Sequence, residues 1–381
     1  MKKGWSLKAW AEVLDIQSGR NQKEVADPEG AYPILGSAGK VMGYANKFLC
    51  ERNTTIIGRK GTIDRPLYIQ TRFWNVDTAF GLLAGPNLHK KYLYYFCLGY
   101  DFQKHDKGTT LPSLVKKDLV LIEIPVPPLG EQEEIVEVLD KAFSAIDQAK
   151  ANIEQNIANA EELFQSKLNQ IFSQKGEGWA EMSLSETLET QPRNGWSPPA
   201  AHHSDSGTPV LTLSAVTGFE FHKDKVKYTS VETDSGRHYW VNNGDLLITR
   251  SNTPKLVGHV AIVGGIEEPT IYPDLIMRMV PQASLVETEF LYYQLRAPEL
   301  RKIIMGRASG ANPTMKKLNK AAVQTLPVSM PAVGQQKLIA KELEELSNKT
   351  QELESRYQTK LNGLEELKKS ILQKAFAGEL T

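Results

Sequence analysis

The residues able to do chemistry are concentrated in a few short runs of Arg, Lys, Ser, Asn, Thr and Gly. Gly58-Arg59-Lys60-Gly61-Thr62, with Arg65 just beyond, follows the apolar run Thr54–Ile57. Arg250-Ser251-Asn252-Thr253-Pro254-Lys255 follows Asp245–Thr249 in the same way. A second polar run comes later in each half: His105–Pro112, with Lys107 and Thr109, and Gly306–Pro313, with Arg307, Ser309 and Asn312. Ser37 and Lys40 stand in a glycine-punctuated turn between Tyr32 and Tyr44. Guanidinium and amide groups match base edges, arginine with guanine and asparagine with adenine. Backbone amides freed by glycine, and Ser and Thr hydroxyls, suit phosphates. All these residues are candidates for DNA contact; for Arg59, Lys60 and Arg65 a solvated surface turn is the competing reading.

Other chemistry is missing its parts. Gly58–Thr62 lacks the glycine-to-lysine spacing of a nucleotide phosphate loop. Asn312-Pro313-Thr314-Met315 lacks the second proline and the aromatic with which amino-methyltransferases stack a flipped base. Pro273-Asp274 has no neighbouring acid and lysine to make a metal nuclease, and there is no Gly-x-Ser-x-Gly elbow. The seven histidines never fall at metal-ligand spacing, and His202-His203 reads as a solvated loop. The expectation is a chain with no catalytic residues, no metal and no cofactor. Cys50 and Cys97 show no motif spacing and read as free, buried thiols of a cytoplasmic protein.

The elements that must position these runs are visible as an internal repeat. Pro127-Pro-Leu-Gly-Glu-Gln-Glu-Glu-Ile135 returns as Pro331-Ala-Val-Gly-Gln-Gln-Lys-Leu-Ile339, a constant offset of 204 residues. Leu139 matches Leu343, Ser166 matches Ser370, Leu168 matches Leu372 and Phe172 matches Phe376. Each copy opens a helical pattern of about 40 residues, roughly 60 Å at 1.5 Å per residue. Apolar positions step by fours and threes through Ile135, Leu139, Ala142, Ile146, Ala149 and Ile153. The second copy steps through Ile339, Leu343, Leu346, Thr350, Leu353 and Tyr357. Both then take an extra step of four, to Ile157 and Leu361, a shared stutter that predicts two helices packed on each other. A domain between them whose ends lie close makes them antiparallel and returns the tail to the start. Gly4-Trp5 resembles Gly178-Trp179, so the chain reads as two copies of a domain followed by a helix, related by a pseudo-two-fold axis. The boundaries are 1–126, 127–176, 177–330 and 331–381. The expected class is α+β, with two α/β domains on an antiparallel helical pair.

Composition allows this. At 381 residues, 41% hydrophobic and 24% charged, there is room for two cores, and no apolar run approaches membrane-spanning length. Net charge is zero but uneven: residues 1–126 carry 18 Lys and Arg against 12 Asp and Glu, and 127–176 carry 4 against 9. Residues 177–330 carry 15 against 16 and 331–381 carry 8 of each, while Arg296–Lys320 holds seven bases against Glu299 alone. Both domains can therefore show a basic face that the helices dilute.

The doubled layout resembles the specificity subunits of type I restriction–modification systems. The helix starts at Pro127–Gln132 and Pro331–Gln336 carry the resemblance, with Gly58–Gly61, Gly244–Thr253 and Ser370–Leu380. It spans essentially the whole chain; the first helix departs by ending Ile171-Phe-Ser-Gln174 without the Ala-Phe-x-Gly of the tail. The resemblance implies two target recognition domains, each reading one half of a split sequence in double-stranded DNA. It also implies two methyltransferase subunits docked on the helices, for which Gln132, Ile135, Leu139, Gln336, Ile339 and Leu343 are the candidates, and restriction subunits joining through the complex. The alternative is a coiled-coil adaptor whose two domains bind proteins.

Overall fold

The structure, a computed structural model, describes residues 2–380. It has two compact units: one runs to Glu154 and resumes at Tyr357, the other is Gln155–Arg356.

In the first unit β1 (Ser6–Ala9) leads through a single turn, α1 (Trp10–Val13), into β2 (Leu14–Ser18). Then come β3 (Tyr32–Leu35), β4 (Val41–Ala45), β5 (Thr54–Gly58), β6 (Leu67–Ile69), β7 (Trp74–Asn75) and β8 (Ala79–Ala84). They form an antiparallel sheet in the order β2-β8-β5-β6 and a smaller one, β4-β3-β7. β5 is a Thr-Thr-Ile-Ile run buried at every position, as a β-branched stretch between two neighbours should be. Helix α2 (Lys90–Gly99) covers this sheet with Tyr92, Leu93, Tyr95, Phe96 and Cys97. A short α3 (Lys116–Leu119) precedes β9 (Glu123–Val126), which pairs with β1. Residues 118–126 are not one continuous strand: the Val115-Lys-Lys-Asp start turns helical first because its amides close local bonds to Val115 and Lys116. Cys50 and Cys97 are free and buried, and burial pushes the Cys50 thiol up to about 12.

The long helix α4 (Leu129–Ser173) follows, and the second unit repeats the plan. Its strands are β10 (Ala180–Ser183), β11 (Leu188–Asn194), β12 (His203–Ser204), β13 (Thr208–Leu211), β14 (Val226–Thr229), β15 (Leu246–Thr249), β16 (Ser251–Asn252), β17 (Val260–Ile262) and β18 (Ile276–Pro281). The main sheet has the order β11-β18-β15-β17, position for position that of the first unit. The following helical stretch is broken in two, α5 (Thr288–Arg296) and α6 (Pro298–Arg307), because Pro298 starts a new helix at its first position. β19 (Lys316–Lys317) pairs with β16, α7 (Lys320–Gln324) stands in the place of α3, and β20 (Pro327–Met330) pairs with β10.

Helix α8 (Val333–Ala377) is 45 residues long, like α4, and the two match end to end at the 204-residue offset. Within the first unit Lys150 pairs with Glu365 and Asp147 with Lys368, so numbers rise on one helix as they fall on the other. Within the second, Lys167 pairs with Glu342 at 2.6 Å, and burial, then the nearby Glu161, raise the Glu354 carboxyl, so the same opposition of numbers holds. The helices are therefore antiparallel in each unit. Such exposed ion pairs contribute about 0–1 kcal/mol. The grip comes from the cores: Ile135, Leu139 and Leu372 lie in the first, Leu168 and Leu343 in the second. Each fully buried leucine contributes roughly 1.5–3 kcal/mol.

The heptad seam was too narrow a guide. Phe143 and Phe164 are buried although neither is on it, because α2 and α5 add a further wall: Tyr95 stands on edge to Phe143 at 5.2 Å and Tyr293 meets Phe164 at 6.3 Å. Leu353, placed on the seam, is 41% exposed. The tail does return to the start of the chain. Phe376 packs on Tyr92 and Phe96, and a Cβ on Gly378 would lie 2.8 Å from Lys2 Cβ and 3.5 Å from the Trp5 ring.

Candidate nucleic-acid interface

In each unit a buried central strand delivers the basic loop. β5 ends at Gly58, where a Cβ would fall 1.9 Å from the Thr62 carbonyl oxygen, so only glycine lets the 58–62 loop close. Arg59 N–H donates to Thr78 O at 2.8 Å and Leu114 N–H donates to Arg59 O at 2.8 Å. β15 ends the same way: Arg250 N–H donates to Leu275 O, and Leu318 N–H to Arg250 O, both at 2.8 Å. The side chains match too. Arg59 Nη1 donates to Asp77 O at 3.2 Å, and Arg250 Nη1 to Asp274 O at 3.4 Å. Arg59 and Arg250 are thus one position occurring twice, half-buried and tied to the same carbonyl.

The other candidates gather round that position. In the first unit Gly61 N–H donates to Pro112 O, and Lys60 bridges Ser113, bringing the 105–113 run beside the 58–62 loop. Ser37 Oγ lies 3.9 Å from the point a Gly61 Cβ would occupy, adding the 36–40 turn. Lys40, Lys60, Arg65, Lys107 and Thr109 are exposed, while Ser37 and Thr62 are half-buried. Asp106 shapes the second run by accepting the amides of Gly108 and Ser113, which hold its carboxyl below the usual carboxylate range.

In the second unit Ser251 pairs with Lys317 and Asn252 with Lys316, so the 307–317 run joins the 250–255 loop. Thr253, Lys255, Ser309 and Asn312 are exposed. Three residues are committed elsewhere. Ser251 is only 2% exposed, since β16 turns its side chain inward, and it is withdrawn as a surface contact. Asn252 donates to Thr217 Oγ1 at 3.2 Å and accepts Thr253 N–H at 2.8 Å, so its amide shapes the loop. Arg307 donates to Ala322 O and Thr325 Oγ1, both at 3.0 Å, closing the C-terminal end of α7.

The basic run 296–320 is likewise not a continuous face. Arg301 is buried and donates to the carbonyls of Lys255, Val257 and Gly258; burial lowers its guanidinium to about 10. Arg296 lies over the Phe164, Phe219 and Tyr292 rings. His259 accepts Gly218 N–H at Nδ1 (3.0 Å), and burial, then Arg301, depress it to about 4, so it holds the loop as a neutral ring.

The six docking candidates are also inward. Gln132, Ile135, Leu139, Gln336 and Leu343 are 0% exposed, and Ile339 packs against the second unit's core. They anchor each helix to its own domain, and of the six only Ile339 is partly exposed. Apolar side chains do stand outside on the helices, and Leu163 (60% exposed) and Leu367 (47%) match at the 204-residue offset. A second matched pair, Leu111 (65%) and Met315 (41%), tips the two later loops. Sequence reading passed over both pairs because an isolated apolar residue in a polar run carries no period; the offset itself was the available signal. Among the described residues no helix is long and apolar enough to cross a membrane.

The model of the type I restriction modification DNA specificity domain matches residues 2–159 and again 176–363. The EcoKI specificity subunit of Escherichia coli K12 is 26% identical over 287 residues, 72% of this chain and 61% of that one. The MjaVIII specificity subunit of Methanocaldococcus jannaschii is 23% identical over 383 residues, 90% of this chain and 86% of that one. The chain spans 61% and 66% of the lengths of the EcoKI and EcoBI relatives. Among solved structures, a chain from work on complex assembly and conformational transition of the type I R-M system aligns over 100% of this chain and 99% of its own, with TM-score 0.78 and 20% identity. The HsdS subunit of Thermoanaerobacter tengcongensis aligns over 100% and 98%, with TM-score 0.57 and 18% identity. One strand frame built twice, and a family model that covers both copies, make this chain a member of the type I restriction–modification DNA specificity family.

Proposed function

We propose that the chain is the non-catalytic sequence-reading subunit of a type I restriction–modification complex acting in the cytoplasm. Its two domains read the two unlike parts of an asymmetric site in double-stranded DNA. Two methyltransferase subunits dock on the helices, and restriction subunits join through them. The observation that carries this is the contrast between frame and loops. Arg59 and Arg250 share every bond named above, whereas their exposed or half-buried neighbours differ: Lys60, Thr62 and Arg65 in one unit, Thr253 and Lys255 in the other. A shared residue in domains with different targets suits the common phosphate backbone, and the unlike neighbours suit base edges.

The exposed lysines give the test. Lys60→Ala should slow methylation of DNA about tenfold or relax discrimination in one specified segment only, and Lys255→Ala should do so in the other. The measurement is methylation rate on duplexes varied base by base in each segment. Equal losses across both segments from either change would contradict the assignment.

Leu163 and Leu367 support the docking of one partner at two matching places. Leu163→Asp or Leu367→Asp should each remove one methyltransferase subunit, weakening that contact tenfold or more, and the double change should remove both. Native mass spectrometry reads the count. Full assembly by the double variant would place the partner elsewhere.

A further inference from the structure

Resting on that DNA-reading function, we infer that Leu111 and Met315 are wedges that enter the base stack, one in each part of the site. Among the described residues they are the one pair of exposed large apolar side chains outside the long helices that occupy matching positions. Apart from Thr110 and Thr314 just before the tips, the runs around them differ, Lys107-Gly-Thr-Thr-Leu-Pro-Ser113 against Ala311-Asn-Pro-Thr-Met-Lys-Lys317. An apolar tip kept while its surroundings change points to a role common to both domains.

Both tips are held rigid. Lys107 N–H donates to Ser113 O at 2.9 Å, and a Cβ on Gly108 would lie 1.7 Å from Leu111 O, so the loop is a closed turn. In the second unit Ser309 and Lys317 exchange both backbone bonds, at 2.9 and 2.8 Å. Asn312 Oδ1 there accepts the Thr314 amide and hydroxyl, at 2.9 and 2.8 Å. Each turn is bonded to the loop of Arg59 or Arg250 through Leu114 or Leu318. An apolar side chain fixed in water gains nothing until it is covered. The second run contains no acidic residue, and the first only Asp106, whose carboxylate is turned in to the Gly108 and Ser113 amides. Lys107 precedes one tip and Lys316 and Lys317 follow the other, so the cover they suit is polyanionic. Leu and Met are among the side chains that unstack a base step and kink a duplex. Kinked DNA would bring more phosphate to Lys60, Lys107 and Lys316.

The test uses the chain assembled with its methyltransferase and duplexes bearing its methylated site, with 2-aminopurine placed at successive positions. The wild type should raise fluorescence severalfold at one step in each part, besides the adenine that is methylated. Leu111→Ala should abolish the rise in one part and weaken binding about tenfold, Met315→Ala should do the same in the other, and Leu111→Met should keep it. Specific binding with no rise except at the methylated adenine overturns the wedge but leaves the DNA-reading function standing. A Leu111→Ala or Met315→Ala complex that binds and fluoresces normally yet loses its methyltransferase overturns it in favour of a protein contact. No specific binding by the wild type sinks both.

Discussion

Replacing Asp245 by alanine should cost the second unit about 3–5 kcal/mol, the penalty of stranding a partly buried arginine. Asp245 is 4% exposed and stands just before β15. Its carboxylate takes Arg278 Nε at 2.5 Å and Nη2 at 2.7 Å, and also caps the Asn242 amide at 2.6 Å. Arg278 sits on β18, directly across from Leu247 of β15. The pair therefore locks the two central strands behind the 250–255 loop. The first unit has Asn53 before β5, so the loss should be one-sided. Amide exchange should accelerate in β15 and β18 while β5 and β8 stay protected. Replacing both partners by leucine should recover most of the loss, since an apolar pair of similar volume needs no compensation. Protection of β15 within about 1 kcal/mol of wild type in Asp245→Ala would show that the pair does not hold this sheet.

Gln132→Ala and Gln336→Ala should each cost about 3–5 kcal/mol, because each removes three hydrogen bonds to backbone groups at once. Gln132 accepts His89 N–H at 2.7 Å and donates to Asn87 O and Pro127 O at 3.0 and 2.8 Å. Gln336 accepts Glu287 N–H at 2.9 Å and donates to Leu285 O and Pro331 O at 3.0 and 2.8 Å. Each amide ties the first turn of a long helix to the entrance of α2 or α5. Glutamate is nearly the same shape but would aim a carboxylate oxygen at two carbonyls, so Gln→Glu should be at least as damaging as Gln→Ala. Methylation of DNA should fall with either change, and urea unfolding should begin earlier. A Gln132→Glu protein as stable as wild type would mean the two donated bonds contribute little.

The frame was legible because repetition amplifies weak signals. The helix starts, the antiparallel sense and the return of Phe376 to the first domain all followed from one offset. Side-chain direction did not follow. Gln132, Ile135 and Leu139 form the clearest motif in the chain, and a motif can mark an anchor as readily as a contact. Arg301 and Arg307 show the same limit: a cluster of bases in sequence says nothing about which ones bend back to carbonyls. The equality of Arg59 and Arg250 was hidden because the stretches between repeats differ in length, so their offset is 191 rather than 204.

The central claim is that two unlike readers serve one divided sequence. A genome-wide adenine-methylation map of cells making this chain with its methyltransferase tests it most directly. The account predicts a single asymmetric motif of two short specified segments separated by unread bases, with one methylated adenine in each. A continuous or palindromic motif, or a map unchanged when the chain is removed, would contradict it.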